Sequence, residues 1–265
     1  MGASSWEIVG ERAMWSAPWA ALLVWMAGQQ AEVLAILREP RKVALLAFSA
    51  VSIATGWSVY VWAVNSGRNL EASLGYYITP LLNMAAGAVF FRERIDRFGA
   101  AAIALAVIGV GLQTLALGHL PLVALVLAVT FWIYGLVRRH VAVSAQAGLM
   151  VETLMMAAPG AAYVGWLWFS HVGVFGRSPN VSLLMPLVGP ATVVPLAIFS
   201  WTARRLPFAT LGFLQFVSPT VTFIIGLAVG ERLSPLGASS FLFIWAGAAV
   251  FAMGAWRAGR RLRAA

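Results

Sequence analysis

Two apolar runs carry hydrogen-bonding side chains where hydrocarbon would be expected. In Leu74–Arg94, "LGYYITPLLNMAAGAVFFRER", Tyr76, Thr79 and Asn83 fall at i, i+3 and i+7. That spacing puts them on one face of a helix. In Leu211–Arg232, "LGFLQFVSPTVTFIIGLAVGER", Gln215, Ser218 and Thr222 repeat the spacing 139 positions later. Neutral donors and acceptors of this kind make and release hydrogen bonds without breaking covalent bonds. They suit a cavity that holds a small molecule reversibly. The same residue types also join one membrane helix to another, and both readings stay open. Pro80 and Pro219 each free a backbone carbonyl, which a membrane helix tolerates beside a cavity or a neighbouring helix.

Further candidates lie elsewhere along the chain. Glu152 falls four residues into an apolar segment beginning at Gly148. Ionisable groups inside membranes are rare and mark ion or proton pathways, so Glu152 is the candidate for ion coupling. The alternative is an interfacial carboxylate favoured by the helix dipole. Trp57 and Tyr60 share a helical face with Asn65 just beyond, and Tyr134 lies in "FWIYGL". Such aromatics stack on planar or cationic ligands or form the belt at the membrane interface. Pro186, Pro190 and Pro195 within one span predict a kink that can act as a hinge, as do Pro80 and Pro219.

Catalysis finds little support. His119, His140 and His171 all fall in loops or at helix ends, and Asp96 is the only aspartate. A serine nucleophile would lack a base, and no histidine-rich zinc motif is present. Cysteine is absent, which removes thiolate metal sites. Lys42 is the only lysine and follows Pro-Arg, so no phosphate-binding loop of the Walker type is available. The chain reads as no enzyme, with no metal, cofactor or nucleotide.

The elements that position these residues are membrane helices. The 265 residues are 61% hydrophobic and 10% charged, far from the balance of a soluble domain. Mean hydropathy is +0.86. Nine spans are expected: Ala13–Gly28, Val43–Val64, Leu70–Phe91, Gly99–Leu117, Pro121–Val137, Gly148–Phe169, Leu183–Trp201, Phe208–Gly230 and Leu236–Trp256. Of the 18 basic residues, 14 fall on one side of this arrangement and 4 on the other. Lys and Arg stay cytoplasmic, so the C-terminus is expected inside. The net charge of +9 orients the chain in lipid rather than binding nucleic acid.

The chain also repeats itself. Leu74-Gly75 matches Leu211-Gly212, Pro80 matches Pro219, Gly87 matches Gly226, and Glu93-Arg94 matches Glu231-Arg232. Gly99 answers Gly237, Gly109 answers Gly247 and Trp62 answers Trp201. Five spans separate Glu93 from Glu231, an odd number, so the copies run through the membrane in opposite senses. Inverted repeats of this kind belong to secondary transporters. The expected architecture is an all-α integral membrane protein, an inverted-topology repeat of helical bundles. Residues 1–117 form one repeat of four spans, 118–256 a second of five, and 257–265 a basic cytoplasmic tail. Pairing backwards sets Pro18 against Pro159 and Glu11 against Glu152. Nothing then remains to pair with Pro121–Val137. The first repeat is expected to lack its first helix, with the chain starting one helix late.

The stretches "WSVYVWAVNSGRNLEASLGYYITPLLN", "LPLVALVLAVTFWIYGLVRR", "AGLMVETLMMAAP" and "RRLPFATLGFLQFVSPTVTF" together resemble RarD-type permeases, the chloramphenicol-sensitive proteins. These belong to the EamA branch of the drug/metabolite transporter superfamily. The resemblance runs from about Glu7 to Trp256. It implies a carrier of the bacterial inner membrane with ten spans in two inverted five-helix repeats, working by alternating access. Gly56, Thr79 and Glu11 depart from the family pattern, where Asn, Asn and His are common. The function expected is secondary-active transport of a small metabolite or drug-like molecule by a monomer whose partners are lipid and that molecule. A channel or a non-transporting membrane scaffold is the alternative, with an intramembrane enzyme behind both. Substrate, direction and coupling ion are not legible.

Overall fold

The computed structural model describes every residue except 1, 2, 91, 93, 94, 208, 209, 212, 213, 216, 229, 231–233 and 265; of 117, 219, 222, 226, 255, 256 and 258–264 it describes the backbone alone. The described chain is helical. It divides into two units, each built from two separated stretches: Met1–Trp62 with Ile133–Arg205, and Ala63–Trp132 with Leu206–Ala265. Each unit therefore draws helices from both halves of the sequence.

The first unit opens with α1 (Ser5–Met26), whose first turn is capped by Ser4 Oγ accepting the Glu7 amide. The expected span began at Ala13, because Glu7, Glu11 and Arg12 read as a polar lead-in. They lie instead within the helix, with Glu7 and Glu11 buried: Glu7 accepts the amides of Val174 and Phe175, Arg12 donates to Thr192, and Glu11 accepts the indole N–H of Trp15 on its own helix. Gly28 (φ +64°) turns the chain, and α2 (Gln30–Leu37) leaves at 119° to α1. The sequence reading left this segment as a connection. It folds because Val33 and Ile36 join a core with Leu46, Val141, Val143 and Val151. Glu32 Oε1 also accepts the Ser144 amide at 2.5 Å.

The rest of this unit comes from most of α3 (Pro40–Asn65), the end of α6 (Leu122–His140), α7 (Ala145–Phe169), α8 (Pro179–Leu184), a 3₁₀ turn (Met185–Leu187) and α9 (Val188–Ala203). The 3₁₀ turn interrupts this span where Pro186 lacks a helix-bonding N–H. α1 and α7 run antiparallel and cross at glycines. A Cβ on Gly160 would stand 2.9 Å from both Ala13 Cβ and the Gly10 carbonyl. In hydrocarbon, apolar burial between helices brings no hydrophobic gain, so close backbone approach and hydrogen bonds decide association.

The second unit contains α4 (Asn69–Phe90), α5 (Arg97–Leu117), the first part of α6, α10 (Val217–Ala228) and α11 (Pro235–Ala264). Asp96 caps α5 by accepting the Gly99 amide. α5 and α11 are antiparallel and touch through two glycines. A Cβ on Gly109 would meet the Ser240 carbonyl at 2.7 Å, and one on Gly247 would meet the Ala102 carbonyl at 2.8 Å. Adding 138 to 109 and to 102 gives 247 and 240, so the two contacts are one contact written twice. The core around them holds Tyr77, Met84, Phe223, Phe241 and Ile244.

Among the described residues, six helices are long and apolar enough to cross a membrane, counting Pro179–Ala203 as one; the bent α1/α2 pair is a seventh if it forms a single span. Each of the nine expected spans falls on helix where it is described, Phe208–Gly230 only in part. Large apolar side chains face outward along them, including Val107, Ile108, Leu183 and Ile198, as a lipid-facing surface requires.

Candidate functional site

The first unit holds a chain of buried polar groups around Glu152. α7 begins at Ala145, with Ser144 Oγ accepting the Ala147 amide. Glu152 is therefore the eighth residue of its helix, deeper than the fourth place expected. Ser49 Oγ donates to Glu152 Oε1 at 2.6 Å, and Arg138 Nη1 stands 3.9 Å from the same oxygen. Glu152 Oε2 has no hydrogen-bond partner. Arg138 Nε donates to Ser200 Oγ at 3.1 Å and Nη2 to the Ala145 carbonyl at 2.7 Å. Tyr134 Oη lies 3.2 Å from Ser200 Oγ, with its ring stacked on Phe199. Tyr134 is wholly buried, so it is no interfacial belt residue.

Arg138 and Ser200 were missed in the sequence. Arg138 was counted with the basic residues that orient the chain; the structure leaves it 2% exposed. The one available signal was "YGLVRR", which puts Arg138 four residues after Tyr134 on the same helical face.

The same unit contains a pocket of about 260 Å³ between α1, α3 and α7, lined by Gly10, Ala13, Ala54, Trp57, Pro159 and Tyr163 among others. Trp57 is buried beneath the Arg12 guanidinium, whose Cζ stands 4.1 Å from the ring centre. Arg12 Nε donates to Thr192 Oγ1 at 2.8 Å, tying α1 to α9. Tyr60 is half-buried on α3 and Asn65 is exposed at its end. A larger depression of about 390 Å³ has Val194, Ile198 and Trp201 on its wall. These residues are all exposed, which suits a lipid-facing groove.

In the second unit Thr79 and Asn83 are buried on α4 and Tyr76 is half-buried, its ring edge-on to Phe131 at 6.4 Å. Thr79 Oγ1 donates back to the Gly75 carbonyl at 3.1 Å. Asn83 Nδ2 donates to Gln215 Oε1. The two expected stripes thus meet at this amide pair, and Asn83 Oδ1 has no partner. Ser218 is exposed on α10. The Thr222 and Pro219 side chains lie outside the described residues, as do Glu93, Arg94, Glu231, Arg232 and the Gly226 contact. Pro80 is buried within α4. In α9, Pro190 is half-buried in the first turn and Pro195 is exposed.

Tyr77, one position from Tyr76, was also missed. It is fully buried, with its hydroxyl 3.3 Å from Thr220 Oγ1 and its ring edge-on to Phe241. Period alone could not choose between neighbours in an apolar helix. Glu71, buried in the first turn of α4, stands 3.8 Å from Arg68. Trp62 and Trp201 are both exposed near helix ends, as belt tryptophans are.

Taken together, these groups offer aromatic faces, neutral hydrogen bonds and a buried ion pair inside membrane helices. Comparison with known proteins gives the arrangement its family. Residues 2–115 match the EamA-like transporter family. An uncharacterized transporter of Pseudomonas aeruginosa is 42% identical over 97% of this chain and 87% of its own. Protein RarD of Escherichia coli is 38% identical over 96% of this chain and 87% of its own. One solved crystal structure shares the fold, with a TM-score of 0.65 at 19% identity over 97% of this chain and 90% of its own. The chain is a multi-pass membrane protein that belongs to the RarD-type permeases of the EamA family, transporters of the drug/metabolite class.

Proposed function

We propose that this permease is a secondary-active carrier of a small metabolite or drug-like molecule, working by alternating access in the inner membrane of a bacterium. Residues 1–117 and 118–256 act as its two inverted repeats, and 257–265 as a basic tail in the cytoplasm. The observation that carries this reading is the α5/α11 interface. Gly109 on Ser240 and Gly247 on Ala102 are the same contact at an offset of 138, as a pseudo-twofold axis in the membrane plane requires. Carriers of this kind move one repeat against the other around a fixed site.

Trp57 offers the substrate an aromatic face in the pocket of the first unit, with Tyr60 and Tyr134 as further contacts of that unit's helices; Asn65, at the end of α3, is a candidate contact of the second unit. Tyr76, Thr79, Asn83, Gln215, Ser218 and Thr222 supply neutral hydrogen bonds in the second unit. Glu152 couples transport to an ion or proton, because its pairing with Arg138 can be exchanged for a bound cation. Pro80, Pro219, Pro190 and Pro195 let their helices bend during the cycle. The carrier acts as a monomer.

A panel of metabolites is to be screened for thermal stabilisation of the purified protein, and any hit tested for uptake into proteoliposomes. Saturable uptake that needs an imposed gradient supports the carrier. Ohmic current indicates a channel, a covalent product an enzyme, and the absence of any flux a scaffold. Orientation is tested separately: a C-terminal reporter active only in the cytoplasm is expected to work, and activity of a periplasm-only reporter there would reverse the topology.

A further inference from the structure

Glu11 is buried to 0% exposure on α1, and the Glu152 network does not use it. Its Oε2 accepts the Trp15 indole N–H at 2.8 Å, and its Oε1 has no hydrogen-bond partner. Among the described residues no Arg, Lys or His forms an ion pair with it. One turn earlier, Glu7 is also buried. Its Oε1 accepts the amides of Val174 and Phe175 at 2.7 and 3.0 Å, so its position is fixed by the loop after α7. Glu7 and Glu11 together line a cavity of about 10 Å³, closed by Val164, Leu167, Trp168, Gly173 and Phe175. That is room for roughly one water molecule.

We propose that Glu7 and Glu11 form a proton site, distinct from Glu152, in which one proton and one water are shared at this cavity. Two neighbouring carboxylates repel one another, and one bound proton relieves the repulsion while supplying a donor. A proton delivered by hydronium forms an O–H bond on Glu11 Oε1 and leaves water behind; release reverses the step. A metal cation fits the site less well, because hard cations take about six or more oxygen ligands and the cavity offers two carboxylates and a water.

The surrounding charges are few. On α1 they are Glu7 and Arg12, the latter turned to Thr192 and Trp57. The facing α7 segment Val164–Trp168 contributes none. On the loop, His171 and Arg177 are exposed, and Arg177 donates to the His171 carbonyl. α9 presents Thr192, which carries no charge.

Position gives the site its meaning. Glu11 is the seventh residue of α1 and Glu152 the eighth of α7, so each lies about 10 Å along its helix from the start. The helices are antiparallel, which sets the two carboxyls toward opposite ends of the pair. The pocket around Gly10, Ala13 and Gly160 lies at the level of Glu11. What the proton is used for rests on the carrier reading; whether it binds does not, and is measured without transport.

The full chain, labelled with ¹³Cδ-glutamate and held in lipid nanodiscs, is to be titrated by carbon NMR from mildly acidic to mildly alkaline buffer. Eight glutamates keep the spectrum tractable. One resonance, absent in Glu11→Gln, is expected to move upfield on acidification and to persist in Glu152→Gln. If Glu11→Gln does not fold, Glu11→Asp assigns the signal, since it removes the same glutamate resonance and keeps an acid. A Glu11 resonance that ignores pH, or that responds to sodium at constant pH, overturns the proposal.

Discussion

The two units bury polar groups of different kinds. The first, 1–62 with 133–205, encloses charges: Glu7, Glu11, Arg138 and Glu152 are all buried. The second, 63–132 with 206–265, encloses neutral groups along its spans: Thr79, Asn83, Gln113 and Ser240. Gln113 Oε1 accepts from Ser240 Oγ at 2.7 Å, and Asn83 bonds Gln215. Its buried acid, Glu71, sits in a first helical turn beside Arg68. The difference teaches a division of labour. Amide and hydroxyl pairs hold helices together whatever the pH, whereas buried acids respond to protons and cations. The proposed ion chemistry is therefore placed in the first unit.

Breaking one partner of the buried pair should have the largest effect. Arg138→Ala leaves Glu152 enclosed without its cation, and losses of this kind are about 3–5 kcal/mol. Denaturant unfolding of the purified protein in detergent checks it. The double variant Arg138→Met/Glu152→Met should recover much of the loss; if it is as unstable as the single variant, packing rather than charge explains the effect.

A second variant probes the neutral unit's close approach. Gly109→Val places carbon within 2.6 Å of Ile244 Cγ1 and 2.7 Å of the Ser240 carbonyl, an overpacking expected to cost about 1–3 kcal/mol. Gly247→Val should destabilise by a similar amount, because the two contacts are equivalent. Clearly unequal losses would weaken the pseudo-twofold reading.

The amide pair comes last. Asn83→Ala should lower stability by only about 0.6–2 kcal/mol, the range of interhelical hydrogen bonds in membranes. Gln215→Ala should cost little more once Asn83 is gone, and a double-mutant cycle reads that coupling. The stability of Asn83→Ala relative to the parent should be the same in acidic and alkaline buffer. A pH-dependent difference would blur the contrast between the units.

Much of the architecture was legible. Apolar length gave the spans, and the repeat gave the pairing of Gly109 with Gly247 that the α5/α11 contacts later used. What hydropathy could not read was a charge satisfied from far away. Glu7 meets amides 167 and 168 residues on, so the true start of α1 looked like a polar tail. Arg138 looked like a loop charge because sequence carries no depth; α7 and α9 close over it. The α2 helix was missed because eight residues hold too little periodicity, and its fold depends on α7. The matched offset singled out Asn83 and Gln215, which bond to one another. Tyr77 was not, since one helical step decides between lipid, core and cavity.

The central claim is that this permease moves its substrate down or against a gradient by alternating access. Its most direct test is uptake of a stabilising metabolite by proteoliposomes holding the full chain, with and without an imposed pH gradient. The account predicts saturable uptake that the gradient drives and that Glu152→Gln uncouples from it. Flux that rises without saturation and carries ohmic current would contradict it.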